Sequence, residues 1–192
     1  MSKFFTVIGV SVLFFFVPYS FGVSFWHKPT VDIGLYNNWG EIAFRDKIPR
    51  PIVFNTRRKA EKNFMVSVKR EATSFVKNHL DFNIGFSANF SSIKQDNIFA
   101  LSLFPELEYV LFPSNKLTPF VNWSIAGISY LNKDNFNNEP IAHFLFQDYL
   151  SVGLLYDRFE LSLMFTHYSG GGILTKEKGY DIPYTIALGY KF

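Results

Sequence analysis

The chain has no cysteine. That excludes stabilisation by disulfides, a zinc-thiolate site and a lipid anchor carried on a cysteine. Charge of one sign is also scarce in excess: the formal net charge is +3. The one basic run, Arg57-Arg58-Lys59 with Lys62 nearby, reads as a loop, so nucleic acid is excluded as a partner. Beyond the first segment no stretch of eighteen apolar residues occurs, which excludes a helical membrane span. There is no phosphate-binding glycine loop, no dinucleotide fingerprint and no His-Glu-x-x-His motif, and His27, His79 and His143 stand isolated. No cofactor and no metal are expected.

Aromatic residues, by contrast, are abundant: they make up 19% of the 192 residues, with 24 Phe, while mean hydropathy is close to zero. A sandwich or soluble barrel would hide these rings in one core, whereas a transmembrane barrel carries them outside as lipid contacts and interfacial girdles. An export signal agrees with the second option. Lys3 precedes a predominantly apolar run over residues 4–17, which breaks at Pro18-Tyr19-Ser20-Phe21-Gly22. Small residues at Ser20 and Gly22 suit signal-peptidase cleavage before Val23. The expected organisation is a signal peptide over 1–22 and one barrel domain over 23–192.

From about residue 31 the chain falls into apolar or alternating segments separated by Asn, Asp, Lys, Gly and Pro clusters. Strands are predicted near 31–45, 63–77, 79–91, 97–112, 117–131, 142–156, 159–169 and 180–192. Their connections alternate between short (Tyr156-Asp157-Arg158) and long (132–140 and 170–179); in an outer-membrane barrel the long ones face outside. The fold class is therefore all-β, an eight-stranded antiparallel transmembrane β-barrel with no helix of consequence. The final strand alternates with Tyr180, Ile182, Tyr184, Ile186, Leu188, Tyr190 and Phe192 on one side, and its terminal aromatic resembles the mark read by barrel-assembly machinery.

The seventh strand carries the chemistry. Leu161, Leu163, Phe165, His167 and Ser169 share one face of it. His167 and Ser169 are two residues apart, with α-carbons separated by about 6.6–6.8 Å, so an imidazole base and a hydroxyl nucleophile can lean together. Periodicity alone fits equally a strand that has reached the headgroup zone, where His, Tyr and Ser are ordinary. Gly170-Gly171-Gly172 follows and offers bare backbone N–H groups to an oxyanion. Asp181, at the start of the adjoining strand, is placed to hold the imidazole tautomer, with Glu177 as the competing carboxylate. Simple alternation turns Asp181 away from that face unless Pro183 marks a bulge.

His167-Tyr168-Ser169, Gly172 and Gly179-Tyr180-Asp181 resemble the lipid A 3-O-deacylase family of PagL type, whose pattern is His-x-Ser-Asn-x-Gly followed by Gly-x-Glu about twelve residues beyond the serine. Leu103-Phe104-Pro105, Pro119-Phe120 and 144–148 with Gly153 look like its middle strands, so the likeness covers about the last hundred residues. Two positions depart from it: Gly170 stands where the family usually has Asn, and Asp181 where it has Glu.

The resemblance implies an outer-membrane serine esterase that removes the 3-O-linked hydroxyacyl chain of lipid A. His167, Ser169 and Asp181 are its expected catalytic residues, Gly170 and Gly172 its oxyanion donors, and the external leaflet its place of action. Arg57, Arg58 and Lys59 are candidate contacts to lipid A phosphates. The expected partners are lipopolysaccharide, outer-membrane lipids and barrel-assembly machinery, with a homodimer left open. The alternative is a catalytically inert small outer-membrane barrel with a structural or surface-binding role.

Overall fold

Alternation of apolar and small polar residues is what drives the chain into strands whose two faces meet different solvents. The computed structural model describes residues 29–37, 59–94, 96–113, 116–133, 135–136, 139–140, 142–170 and 179–192. The expected signal peptide over 1–22 lies outside them. Eight long strands are present: β1 (Thr30–Asn37), β2 (Lys62–Val76), β3 (Leu80–Ile93), β4 (Asp96–Val110), β5 (Leu117–Leu131), β8 (Phe144–Tyr156), β9 (Phe159–Ser169) and β10 (Tyr180–Lys191). They close into one antiparallel barrel in the order β1-β10-β9-β8-β5-β4-β3-β2. Two short strands, β6 (Asn135–Phe136) and β7 (Glu139–Pro140), pair in the connection between β5 and β8.

Connections at one end are tight, at 77–79, 111–116 and 157–158; the other end carries the connections 38–61, 132–143 and 170–179. The expected alternation of short and long has one exception, because β3 and β4 join at the second end through a tight turn that pairs Ile93 with Asp96.

The outer wall is apolar: Ile33, Phe86, Leu103, Ile128, Leu161 and Leu188 are all exposed on it. Tyr109 and Tyr156 are exposed near the short-turn end, and Tyr130 and Phe144 near the other, which is the double aromatic girdle of a membrane barrel.

The interior is filled in two layers. Toward the short-turn end, Lys69 Nζ lies 3.1 Å from Glu106, 3.2 Å from Glu108 and 3.4 Å from Glu160. Lys191 joins the same network at 2.9 Å from Glu108 and 3.0 Å from Glu160. Buried charges survive there because each is paired. Toward the other end the filling is apolar, with Ile93, Leu131, Leu145 and Ile182 around the rings of Tyr168 and Tyr180, which stack 4.6 Å apart at 16°. An eight-stranded barrel is just wide enough for such filling. A chemical site must therefore lie on the wall.

One irregularity decides which residues face that wall. Between β10 and β9 the register slips, with Ile182 opposite Thr166 but Thr185 opposite Met164, so Pro183 and Tyr184 together span a single position of β9. Proline has no N–H to give the ladder and fits such a bulge. Tyr184 takes φ 58° there, a left-handed conformation that costs a side-chain-bearing residue about 1–2 kcal/mol, and its ring packs edge-on against Phe165 at 5.0 Å. The uninterrupted alternation expected for the last strand is thus corrected. Ile186 and Leu188 face out, at 59% and 58% exposure, but Tyr180 and Ile182 point into the lumen at 0%. Asp181, between them, turns outward.

Candidate active site

β9 and β10 put His167 and Asp181 directly opposite each other. Residues so paired in an antiparallel ladder share a face, with β-carbons about 4.5–5.5 Å apart. His167 Nδ1 and Asp181 Oδ1 are 2.6 Å apart, short enough for a charge-assisted hydrogen bond. Both groups are shielded, His167 at 9% exposure and Asp181 at 3%. With the carboxylate ionised, Nδ1–H is the donor. The imidazole is then held in the tautomer that leaves Nε2 as an acceptor, the form needed to take a proton from a hydroxyl. The bulge at Pro183 and Tyr184 is what makes this contact possible.

Ser169 is the last residue of β9, two positions beyond His167 on the same outward face, and is half-buried. Gly170 follows it directly and is buried. Gly172, the second expected oxyanion donor, and Glu177, the competing acid, lie outside the described residues, as do Arg57 and Arg58. His79 and His143 each have Nδ1 at a backbone carbonyl oxygen, that of Val110 at 3.2 Å and that of Leu131 at 2.9 Å.

Gly179 brings the returning chain back against the serine. A β-carbon on Gly179 would lie 1.4 Å from the Tyr168 carbonyl oxygen and 2.9 Å from the Ser169 α-carbon, so only glycine permits this approach. Gly179→Ala is expected to push the start of β10 outward and lower ester hydrolysis at this site, if it occurs, on the order of 10²-fold, the loss that a displacement of about 1 Å at reacting groups can cause. Initial rates on an acyl ester in micelles, with retained heat-modifiable gel mobility as the sign of a closed barrel, check this.

Two features of the site escaped the sequence. Asp148 of β8 is the cross-strand partner of His167 on the side away from Asp181, but its Oδ1 accepts the N–H of Ala126 at 2.6 Å. Ala126 belongs to a second bulge, in β5, and has φ 59°. Asp148 therefore secures that bulge while Asp181 serves the imidazole. The second feature is Lys59, expected on a loop but found in a parallel bridge with Asp181. The neighbouring Ala60 N–H donates to the Asp181 carbonyl oxygen at 2.8 Å.

Comparison with known proteins shows a family and a fold. The sequence model of one family, described as lipid A 3-O-deacylase (PagL), matches residues 15–191. No curated protein matches the chain. Among solved structures, the crystal structure of the outer membrane enzyme PagL superposes with a TM-score of 0.58 at 11% identity, over 86% of this chain and 100% of that one. The Yersinia pestis outer membrane protein Ail in a phospholipid bilayer nanodisc gives a TM-score of 0.43 at 9% identity, over 86% and 99%.

Proposed function

Because the chain belongs to the lipid A 3-O-deacylase (PagL) family, we propose that it hydrolyses the 3-O-linked hydroxyacyl ester of lipid A in the bacterial outer membrane by a Ser169/His167/Asp181 mechanism. The observation that carries this reading is the 2.6 Å contact between His167 Nδ1 and Asp181 Oδ1 on the outward face of the wall. It leaves Nε2 as the acceptor nitrogen, which in this reading takes the proton of Ser169.

The reaction runs in two halves. His167 Nε2 takes the Ser169 hydroxyl proton as Oγ attacks the ester carbonyl carbon. The tetrahedral oxyanion is met by backbone N–H groups from Gly170 to Gly172. Collapse breaks the bond to the 3-oxygen of lipid A, which leaves with the proton from the imidazolium, and the acyl group stays on Ser169. Water then repeats the sequence, with His167 again as base, and frees the hydroxy fatty acid. The family's usual Asn side chain is replaced here by Gly170, so backbone donors carry the oxyanion; a single lost donor costs on the order of 10²- to 10³-fold in such sites. Asp181 stands in for the family's Glu because the two strands pair closely enough for the shorter acid to reach.

The site lies at the end of the barrel with the long connections, and the external leaflet, where lipid A resides, is the natural place for that end. Arg57, Arg58 and Lys59 remain the expected contacts for lipid A phosphates. Purified protein incubated with hexa-acylated lipid A is expected to release one hydroxyacyl chain, read as a single mass loss by mass spectrometry. An unchanged lipid mass would leave the inert barrel as the better reading.

A further inference from the structure

Among the described residues, the barrel ladder is incomplete on one side at the level of the site. β1 accompanies β10 only as far as the pair Leu35 and Ile186, so β10 above its bulge runs past the end of β1 pairing. The end of the 38–61 connection takes that place: Lys59 bridges Asp181 in parallel, and Ala60 N–H binds the Asp181 carbonyl. Glu61 N–H then donates to the Ser92 carbonyl oxygen at 2.7 Å, and β2 begins at Lys62.

Side-chain direction follows from this pairing. Ala60 is 1% exposed and packs with Tyr180 and Ile182 inside the barrel. Its neighbour Lys59 therefore faces out, as does its bridge partner Asp181. Lys59, Asp181, His167 and Asp148 thus form one row across four adjacent segments of the outer wall. The backbone bridge thus sets Lys59 beside Asp181 on the flank opposite His167.

We propose that Lys59 is a positioning residue for the catalytic acid, its ammonium keeping the Asp181 side chain turned toward His167. This rests on the deacylase reading above. The physical need is clear from the surroundings: a carboxylate 3% exposed on a lipid-facing wall is costly to keep charged. Without its charge it neither fixes the tautomer nor stabilises the imidazolium. An adjacent cation offsets that cost.

The test compares full-length wild type, Lys59→Met and Lys59→Arg on two substrates: lipid A, and a neutral, phosphate-free p-nitrophenyl acyl ester in the same micelles. Lys59→Met is expected to lower kcat about 10- to 100-fold on both, the usual loss when a group supporting a catalytic residue from behind is removed. KM should change little, and Lys59→Arg should restore most of the rate. Heat-modifiable mobility verifies a closed barrel in each variant. A fully active Lys59→Met overturns the proposal alone. So does a loss confined to KM for lipid A and absent with the neutral ester, which would make Lys59 a phosphate contact. A wild type inert on both esters overturns the deacylase reading and this proposal together.

Discussion

Ser169→Ala is expected to abolish lipid A deacylation, by on the order of 10⁴- to 10⁶-fold in kcat, with the barrel intact. The side chain removed is one hydroxyl at the exposed end of β9, half-buried at the barrel rim. It supports no part of the lumenal packing that holds the fold, so loss of rate and loss of structure separate cleanly. His167→Ala should produce a loss of similar size, and the double variant should be no worse than either single one, because nucleophile and base act as a unit. Mass spectrometry of lipid A after long incubation reads the residual rate. A Ser169→Ala protein retaining more than a few per cent of wild-type rate would mean that water, not the serine, attacks the ester.

Asp181→Asn is expected to lower kcat about 10³- to 10⁴-fold while leaving KM nearly unchanged. The amide fills the same space between β9 and the bulge, so the 2.6 Å contact to Nδ1 need not break, but its character inverts. An amide N–H facing Nδ1 donates to it and moves the imidazole proton to Nε2, the atom that must accept the Ser169 proton. Asp181→Glu, by contrast, should keep substantial activity, since the longer acid is what the family pattern carries there. The release of hydroxy fatty acid under saturating lipid A measures both. If Asp181→Asn stays within tenfold of wild type, the site works as a dyad and the carboxylate is structural.

The two outcomes together separate what the residues say from what the geometry adds. Strands β5 and β9 run Leu117–Leu131 and Phe159–Ser169, as their alternation and the flanking turn residues predict. The outward face of His167 and Ser169 follows from the same period-two rule. The partner of His167 on β8 was also within reach: the two-residue turn after Tyr156 pairs it with Phe159, and stepping away equally on both strands arrives at Asp148 and His167.

The direction of Asp181 was of another kind. Period-two reasoning places it in the lumen, and only the extra residue at Pro183 and Tyr184 reverses it. Proline signals that a bulge is tolerated, but not on which side the phase changes. Lys59 was already a candidate contact for lipid A phosphates, but its place beside Asp181 was invisible for a different reason. Its bridge to Asp181 joins segments more than a hundred residues apart through a single pair, and no periodicity marks an isolated contact. The small β6–β7 hairpin is too short to display a period at all.

Under the proposed function, the packed lumen fixes how substrate reaches the site. With Lys69, Lys191 and their carboxylates closing one end and stacked Tyr168 and Tyr180 the other, nothing the size of a lipid passes through the cylinder, and the acyl ester must arrive sideways along the wall. Encounter is then diffusion in a plane. The quantity that sets turnover is the mole fraction of lipid A among the lipids touching the barrel, not its bulk concentration, so added inert detergent or phospholipid acts as a diluent even when total lipid A is held constant.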